Sequence, residues 1–233
     1  MLSEKLMYWF SKPIVKTYTQ TLLQMNIKLH SSMPEGAKII AANHPSTTDP
    51  FFVAAMVQRQ SYILINDLLF QVPILGKYLH ASGHIPVKVG CGQQAVDRAV
   101  QYLSEGKTVI IFPEGDLSPS DGGFHPARTG VARLALASGA PVIPVGIHLI
   151  WEKVHAIRSV VKGRAEIGRW YIEGPYHITV GDQMQFNGAC DDRAKVRNVS
   201  DKVMRKIIEL TYESRNRLNK QTGKVSGLYN PLD

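Results

Sequence analysis

Two short polar segments carry the residue types of proton-transfer chemistry. In Asn43-His44-Pro45-Ser46-Thr47-Thr48-Asp49 a histidine and a carboxylate stand five positions apart. The apolar run Ile39-Ile40-Ala41-Ala42 precedes them and Pro50-Phe51-Phe52-Val53-Ala54-Ala55-Met56 follows. This order predicts a strand, a turn and a helix, with Asp49 as the N-cap and Pro50 in the first helical position. An imidazole there stands at the carboxyl end of a strand, where α/β sheets bind ligands. An aspartate that reaches one ring nitrogen leaves the other free as a base. Taken alone, the pair also fits a capping aspartate beside a plain loop histidine. The second segment changes the balance: Thr108-Val109-Ile110-Ile111-Phe112 is a continuous apolar run of the kind buried on both faces of a sheet, and Pro113-Glu114-Gly115 halts it. Two polar constellations therefore stand at the ends of two core strands.

The elements that must position them follow from the pattern of apolar residues. Strands are predicted over 38–43, 62–66, 83–88, 108–112, 142–149, 167–173 and 176–181, and helices over 50–59, 73–81, 92–105, 128–138 and 192–218. The alternation implies an α/β fold, a mostly parallel or mixed sheet covered by helices. Two extended runs flank Gly174-Pro175, which predicts a hairpin at one sheet edge. The 233 residues contain no linker, repeat or low-complexity tract, so residues 31–220 read as one domain, preceded by a distinct segment over 1–30 and followed by a tail over 221–233.

In the order and spacing of its motifs, the chain resembles the lysophosphatidic acid acyltransferase family of the glycerolipid acyltransferase superfamily. The family's first motif, a histidine and an aspartate separated by four residues, corresponds to His44 and Asp49. Its Phe-Pro-Glu-Gly motif corresponds to Phe112-Pro113-Glu114-Gly115 with Ser118 behind it, and its apolar-Pro-apolar strand to Val142-Ile143-Pro144-Val145. Thr129-Gly130-Val131-Ala132-Arg133-Leu134-Ala135 also looks like the family, and the likeness covers roughly residues 35–185. Two departures concern the acceptor head group. Gly83-His84-Ile85-Pro86-Val87-Lys88 ends in a lysine where the family usually has an arginine, and the third motif continues Asp116-Leu117-Ser118 where the family commonly has Thr-Arg-Ser. Lysine meets a phosphate as a point charge rather than a fork.

The resemblance implies a glycerol-3-phosphate acyltransferase-like fold and direct transfer of an acyl group from acyl-CoA or acyl carrier protein, as co-substrate, to the free hydroxyl of a lysophospholipid. Lysophosphatidic acid is the default acceptor and phosphatidic acid its product. His44 is then the general base and Asp49 its orienting partner. Glu114 would hold acceptor hydroxyls or anchor a loop. Lys88 and Arg128 are the candidate phosphate ligands, and backbone N–H groups near Gly115 or in the helix after His44 would meet the oxyanion.

Other chemistries find less support. Cys91 has no basic neighbour in sequence and reads as a small apolar cysteine. Gly115-Asp116-Leu117-Ser118 lacks the Gly-x-Ser-x-Gly order of serine esterases, which makes Ser118 structural. The remaining histidines have no metal-ligand spacing, so neither metal nor cofactor is expected. Two cysteines give no disulfide framework, and no secretory signal is evident, which fits a reducing cytosolic setting.

The net charge of +8 suits an anionic membrane surface or nucleic acid. No nucleic-acid reader motif accompanies it, and the cations at 193–206 share a helix with an apolar stripe, as expected of a solvated face. In the first 30 residues Met7, Tyr8, Trp9, Phe10, Ile14, Val15 and Tyr18 interleave with Lys5, Lys12 and Lys16, the composition of a segment lying among lipid headgroups. No transmembrane helix is expected, since Gly139, Pro141, Pro144 and Gly146 interrupt the apolar stretch over 134–151. The expected location is peripheral, at the cytoplasmic face of a membrane. A non-catalytic basic membrane-binding module of the same fold is the alternative.

Overall fold

The computed structural model describes residues 13–57, 59–161 and 164–223. Residues 13–21 are helical and are designated α1. There follow β1 (Asn26–Leu29), β2 (Lys38–Ala42), α2 (Asp49–Met56), β3 (Ser61–Asn66), α3 (Leu75–Ala81), β4 (Ile85–Val87), α4 (Gly92–Ser104) and β5 (Thr108–Ile111). The chain continues through α5 (Gly130–Ser138), β6 (Val142–Leu149), β7 (Val154–Val161), β8 (Arg164–Tyr171), β9 (Tyr176–Val180) and α6 (Arg193–Thr222).

Seven strands form one sheet in the order β1-β9-β6-β2-β5-β3-β4. Every neighbouring pair is parallel except β6 with β9. β2 occupies the middle, and all five of its residues are buried because helices cover both faces. Its alternating side chains feed two apolar layers: Ile40 and Ala42 join Phe52, Val53, Ile63 and Ile143, whereas Ile39 and Ala41 join Val96, Leu103, Leu134 and Ile207. The parallel arrangement brings the carboxyl ends of β2, β5, β3, β4 and β6 to one edge of the molecule. That edge receives both polar segments.

α6 packs the stripe Val196, Val199, Val203, Ile207 and Leu210 inward and exposes Arg193, Lys195, Arg197, Lys202 and Arg205, as the sequence predicts. Asp192 caps it, accepting from Lys195 N at 2.9 Å. Among the described residues no helix is long and apolar enough to cross a membrane.

Three expectations are corrected. The hairpin expected around Gly174-Pro175 does not exist: β8 pairs with β7 in a separate two-stranded ribbon, and β9 leaves to join β6 and β1 in the main sheet. Gly174 and Pro175 instead carry the chain between sheets, with Gly174 N and Tyr176 N donating to Leu22 O and Leu23 O at 3.0 Å each. A turn signal marks a change of direction, not the ladder partner. β1, Asn26–Leu29, is an edge strand of the main sheet, parallel to β9. Asp49 is the first helical residue of α2, with Thr48 at the N-cap position, because its side chain is drawn inward to the site. Cys91 is exposed at the start of α4 rather than packed as an apolar residue. Residues Lys5 to Phe10 and Lys12, and the tail beyond Gly223, lie outside the described residues.

Candidate active site

His44 is the second residue after β2. The turn that presents it is fixed by Asn43, whose side-chain amide copies a backbone peptide: Nδ2 donates to Ile147 O at 2.9 Å and Oδ1 accepts from Ile147 N at 2.7 Å. The β2–β6 ladder ends at Ala42 and Val145. Asn43 extends it by one rung while the main chain turns away.

The His44 backbone is held by the loop after β5. Its N–H is shared between Glu114 Oε1 at 3.0 Å and Ser118 Oγ at 3.1 Å, and its carbonyl accepts from Ser118 N at 2.8 Å. Glu114 is buried. Its Oε1 also accepts from Ser118 Oγ at 2.6 Å, and its Oε2 accepts from His125 N at 2.8 Å. Of the two roles open to Glu114, loop anchor and substrate ligand, these bonds belong to the first. Ser118 is structural in the same sense. Phe112 stacks on the imidazole with centroids 4.2 Å apart and limits the ring's tilt.

His44 Nδ1 lies 3.0 Å from Asp49 Oδ2. A carboxylate only accepts, which places the proton on Nδ1 and leaves Nε2 with a lone pair. Asp49 is fully buried, yet neither oxygen lacks a donor: Oδ2 also accepts from Ser46 N at 2.7 Å, and Oδ1 accepts from Tyr176 Oη at 2.7 Å. Burial first, and the Asp49 carboxylate next, push the Tyr176 phenol well above its ordinary pKa, so it stays protonated and donates. His44 itself keeps 17% of its side chain accessible, which is the opening a substrate hydroxyl needs.

The other expected site residues stand around this pair. Gly115 has φ +68°, and a Cβ there would lie 2.4 Å from Arg128 Cδ, so only glycine admits the turn with Arg128 lying across it. Arg128 N donates to Pro113 O at 2.7 Å, while its side chain is exposed and makes no ion pair among the described residues. The Gly115 N–H is committed to Phe112 O at 3.0 Å, which leaves an oxyanion to other donors. Lys88 follows β4, an exposed cation at the same edge but three strands from β2, about 14 Å across the sheet. Asp116 is exposed, and its carboxylate accepts from Leu117 N. Among the described residues no group of three metal-ligating side chains occurs.

Sequence reasoning assigned no role to Tyr176, Asn43 or Arg169. Tyr176 and Arg169 look like ordinary strand residues, and Asn43 had only its place beside His44 to mark it. Arg169, in β8, reaches the site from the ribbon. Burial lowers its guanidinium pKa, while the charges of Asp116, Asp49 and Glu114 act in the opposite sense. Along α2, which begins at Asp49, runs a small cavity of about 60 Å³. Val15, Phe51, Ala54, Ile63 and Tyr78 form its apolar wall, and Ser82 and His84 its polar part.

A family model described as Acyltransferase matches residues 24–148, more than half of the chain. Among curated proteins, 1-acyl-sn-glycerol-3-phosphate acyltransferase of Limnanthes alba is 31% identical over 122 residues, covering 49% of this chain and 43% of the plant protein. The Salmonella typhimurium protein of the same name is 27% identical over 127 residues, covering 53% and 51% respectively. The chain thus spans about half the length of the curated relatives it matches. Among solved structures, the 1-acyl-sn-glycerophosphate acyltransferase PlsC of Thermotoga maritima superposes with a TM-score of 0.60 at 18% identity, covering 92% of this chain and 81% of that one, a likeness of fold. With the motif residues gathered at one edge of the same kind of sheet, the chain belongs to the acyltransferase family.

Proposed function

We propose that this protein transfers a fatty acyl group from acyl-CoA or acyl carrier protein to the free hydroxyl of a lysophospholipid, with 1-acyl-glycerol-3-phosphate the first candidate acceptor and phosphatidic acid the product. The observation that carries this reading is the His44–Asp49 pair, 3.0 Å apart at the end of the central strand, with no hydrogen bond to Nε2 among the described residues. An acceptor hydroxyl is far too weak an acid to ionise unaided. His44 Nε2 takes its proton as the oxygen attacks the thioester carbonyl, and Asp49 holds the imidazolium that forms. Collapse of the tetrahedral intermediate breaks the carbon–sulfur bond, and the departing thiolate recovers the proton from His44.

The acceptor's phosphate is assigned to Arg128 and Lys88, exposed cations at the same edge. Gly115 lets Arg128 lie flat across the turn. The acyl chain is assigned to the apolar surface along α2 formed by Val15, Phe51, Ala54, Ile63 and Tyr78, which it would cover. The names of the relatives agree with this reading.

The test is thiol release from palmitoyl-CoA with and without lysophosphatidic acid. Acceptor-dependent release should fall about 10²–10⁴-fold in His44→Ala, and by a comparable factor in Asp49→Asn. Release indifferent to acceptor indicates a thioesterase. Release that is absent in the wild type with every donor and acceptor tried favours a non-catalytic membrane module.

We further place the protein peripherally on the cytoplasmic face of a membrane. Support comes from Ile14 of α1 and Leu22 just after it, 71% and 49% exposed, from Ile172 at 48%, and from the net charge of +8. Each cation near an anionic leaflet contributes about 1 kcal/mol. Sedimentation with phosphatidylglycerol vesicles should therefore be strong in dilute buffer and weaken steeply above about 0.15 M salt. Equal sedimentation with neutral vesicles would remove the electrostatic part of this placement.

A further inference from the structure

The family match ends at residue 148, and the β7–β8 ribbon lies beyond it. The ribbon nevertheless touches both loops of the site. Thr47 N donates to Arg169 O at 2.7 Å, Arg169 N donates to Thr47 Oγ1 at 3.0 Å, and Ser46 Oγ donates to the same Arg169 carbonyl at 3.0 Å. Thr48 Oγ1 adds a bond to Tyr171 O at 3.2 Å. The turn between His44 and Asp49 is thus stitched to β8.

The Arg169 side chain then crosses to the other loop. Its Nη2 donates to the carbonyl of Ser118, and its guanidinium lies 5.8 Å from the Trp151 ring centroid. Ser118 is the residue that bonds both the N–H and the carbonyl of His44. One residue therefore spans both, its backbone bonded to the segment ending in Asp49 and its guanidinium to the loop that grips His44. The surrounding charge is one-sided, with Asp116, Asp49 and Glu114 all acting on this guanidinium. The third motif supplies no cation of its own, since Asp116-Leu117 stands between Gly115 and Ser118.

We propose that Arg169 is a positioning residue for acyl transfer, its guanidinium locking the Glu114–Ser118 loop to the Ser46–Asp49 segment so that His44 and Asp49 keep their mutual geometry. This rests on the acyltransferase reading above. Its Nη1 is buried with no partner among the described residues, which costs stability, so the group is poorly explained as a fold stabiliser alone. A lysine at this place keeps a charge but loses the planar fork that holds one amino group on Ser118 O while the rest stays over Trp151.

Two readouts test the lock. In Arg169→Gln, kcat should fall on the order of 10²-fold while KM for acceptor and donor stays within about twofold, and Arg169→Lys should recover only part of the loss. A raised acceptor KM with kcat preserved overturns the proposal and makes Arg169 a phosphate ligand. A Lys variant equal to wild type overturns it too, because a cation without the fork then suffices. Amide exchange is the second readout and needs no turnover. The His44 and Ser118 amides should exchange about tenfold faster in Arg169→Gln, and to a lesser degree in the better-tolerated Arg169→Lys, with the β2 amides unchanged. Unchanged exchange at His44 and Ser118 defeats the lock whether or not the wild type is active. A wild type that transfers no acyl group defeats only the reaction assigned to the site.

Discussion

Asp49 shows how a polar residue is afforded a place at the centre of an apolar sheet. A buried carboxylate is costly unless donors replace its water, and here three do: His44 Nδ1, Ser46 N and Tyr176 Oη. Only the first two come from its own segment. Tyr176→Phe removes the third and leaves Oδ1 without this donor, at a cost of about 1–3 kcal/mol. The expected outcome is a lower urea midpoint together with a kcat reduced about tenfold and KM little changed, because Asp49 turns imperfectly toward His44. Steady-state kinetics on the folded variant separates the two effects, and an unaltered kcat would show that His44 and Ser46 alone hold Asp49.

At the scale of elements, the site depends on strands that end together and on helices that keep them in register. α6 approaches β6 backbone to backbone at Gly146, where a Cβ would lie 2.1 Å from Thr211 N and 2.2 Å from Leu210 C. Ser214 Oγ also donates to Gly146 O at 2.9 Å across this contact. The obstruction is backbone, so nothing can rotate aside. Gly146→Ala should cost about 3 kcal/mol or more by forcing the helix off the sheet. Denaturant unfolding reads this directly. The fraction that stays folded should keep near-normal activity, since α6 provides none of the bonds to His44 or Asp49. The small residue there is a packing requirement, unlike Gly115, where a left-handed turn and the overlying Arg128 both demand glycine.

For the whole molecule, burial is also a pH dependence. His84, His148 and His177 are each lowered to a pKa of about 4, first by burial, and in the last two also by nearby Arg215 and Arg217 respectively. Their folded pKa lies below the unfolded value of about 6.5, so the unfolded chain binds more protons between those limits and stability falls as the pH drops through that window. The thermal midpoint should be flat with respect to these groups above pH 7 and decline from about pH 6.5 toward 4. His84 accepts from Ile63 N at 3.3 Å, and its substitution by phenylalanine should lower proton uptake on unfolding at pH 5.5 by about one. Calorimetry in buffers of different ionisation enthalpy measures that number, and an undiminished uptake would assign the acid sensitivity to other groups.

The sequence by itself determined the α/β class, the parallel core strands and the two motif segments. Runs such as Ile39–Ala42 and Thr108–Phe112 have one low-energy use, as strands buried on both faces. It also placed His44 and Asp49 on one turn, because the six residues between β2 and α2 leave them little freedom. What only the tertiary structure decided was the company they keep. Tyr176, Ser118 and Arg169 lie 127, 69 and 120 residues along the chain from Asp49, and they reach it or its loops only because β9, the loop after β5 and the ribbon are brought together by the packing of the sheets. Strand pairing is a competition among all edges of the sheet, settled by the summed burial of whole strands. No local signal around Gly174-Pro175 could disclose that β8 would pair backward with β7 and bring Arg169 over the site.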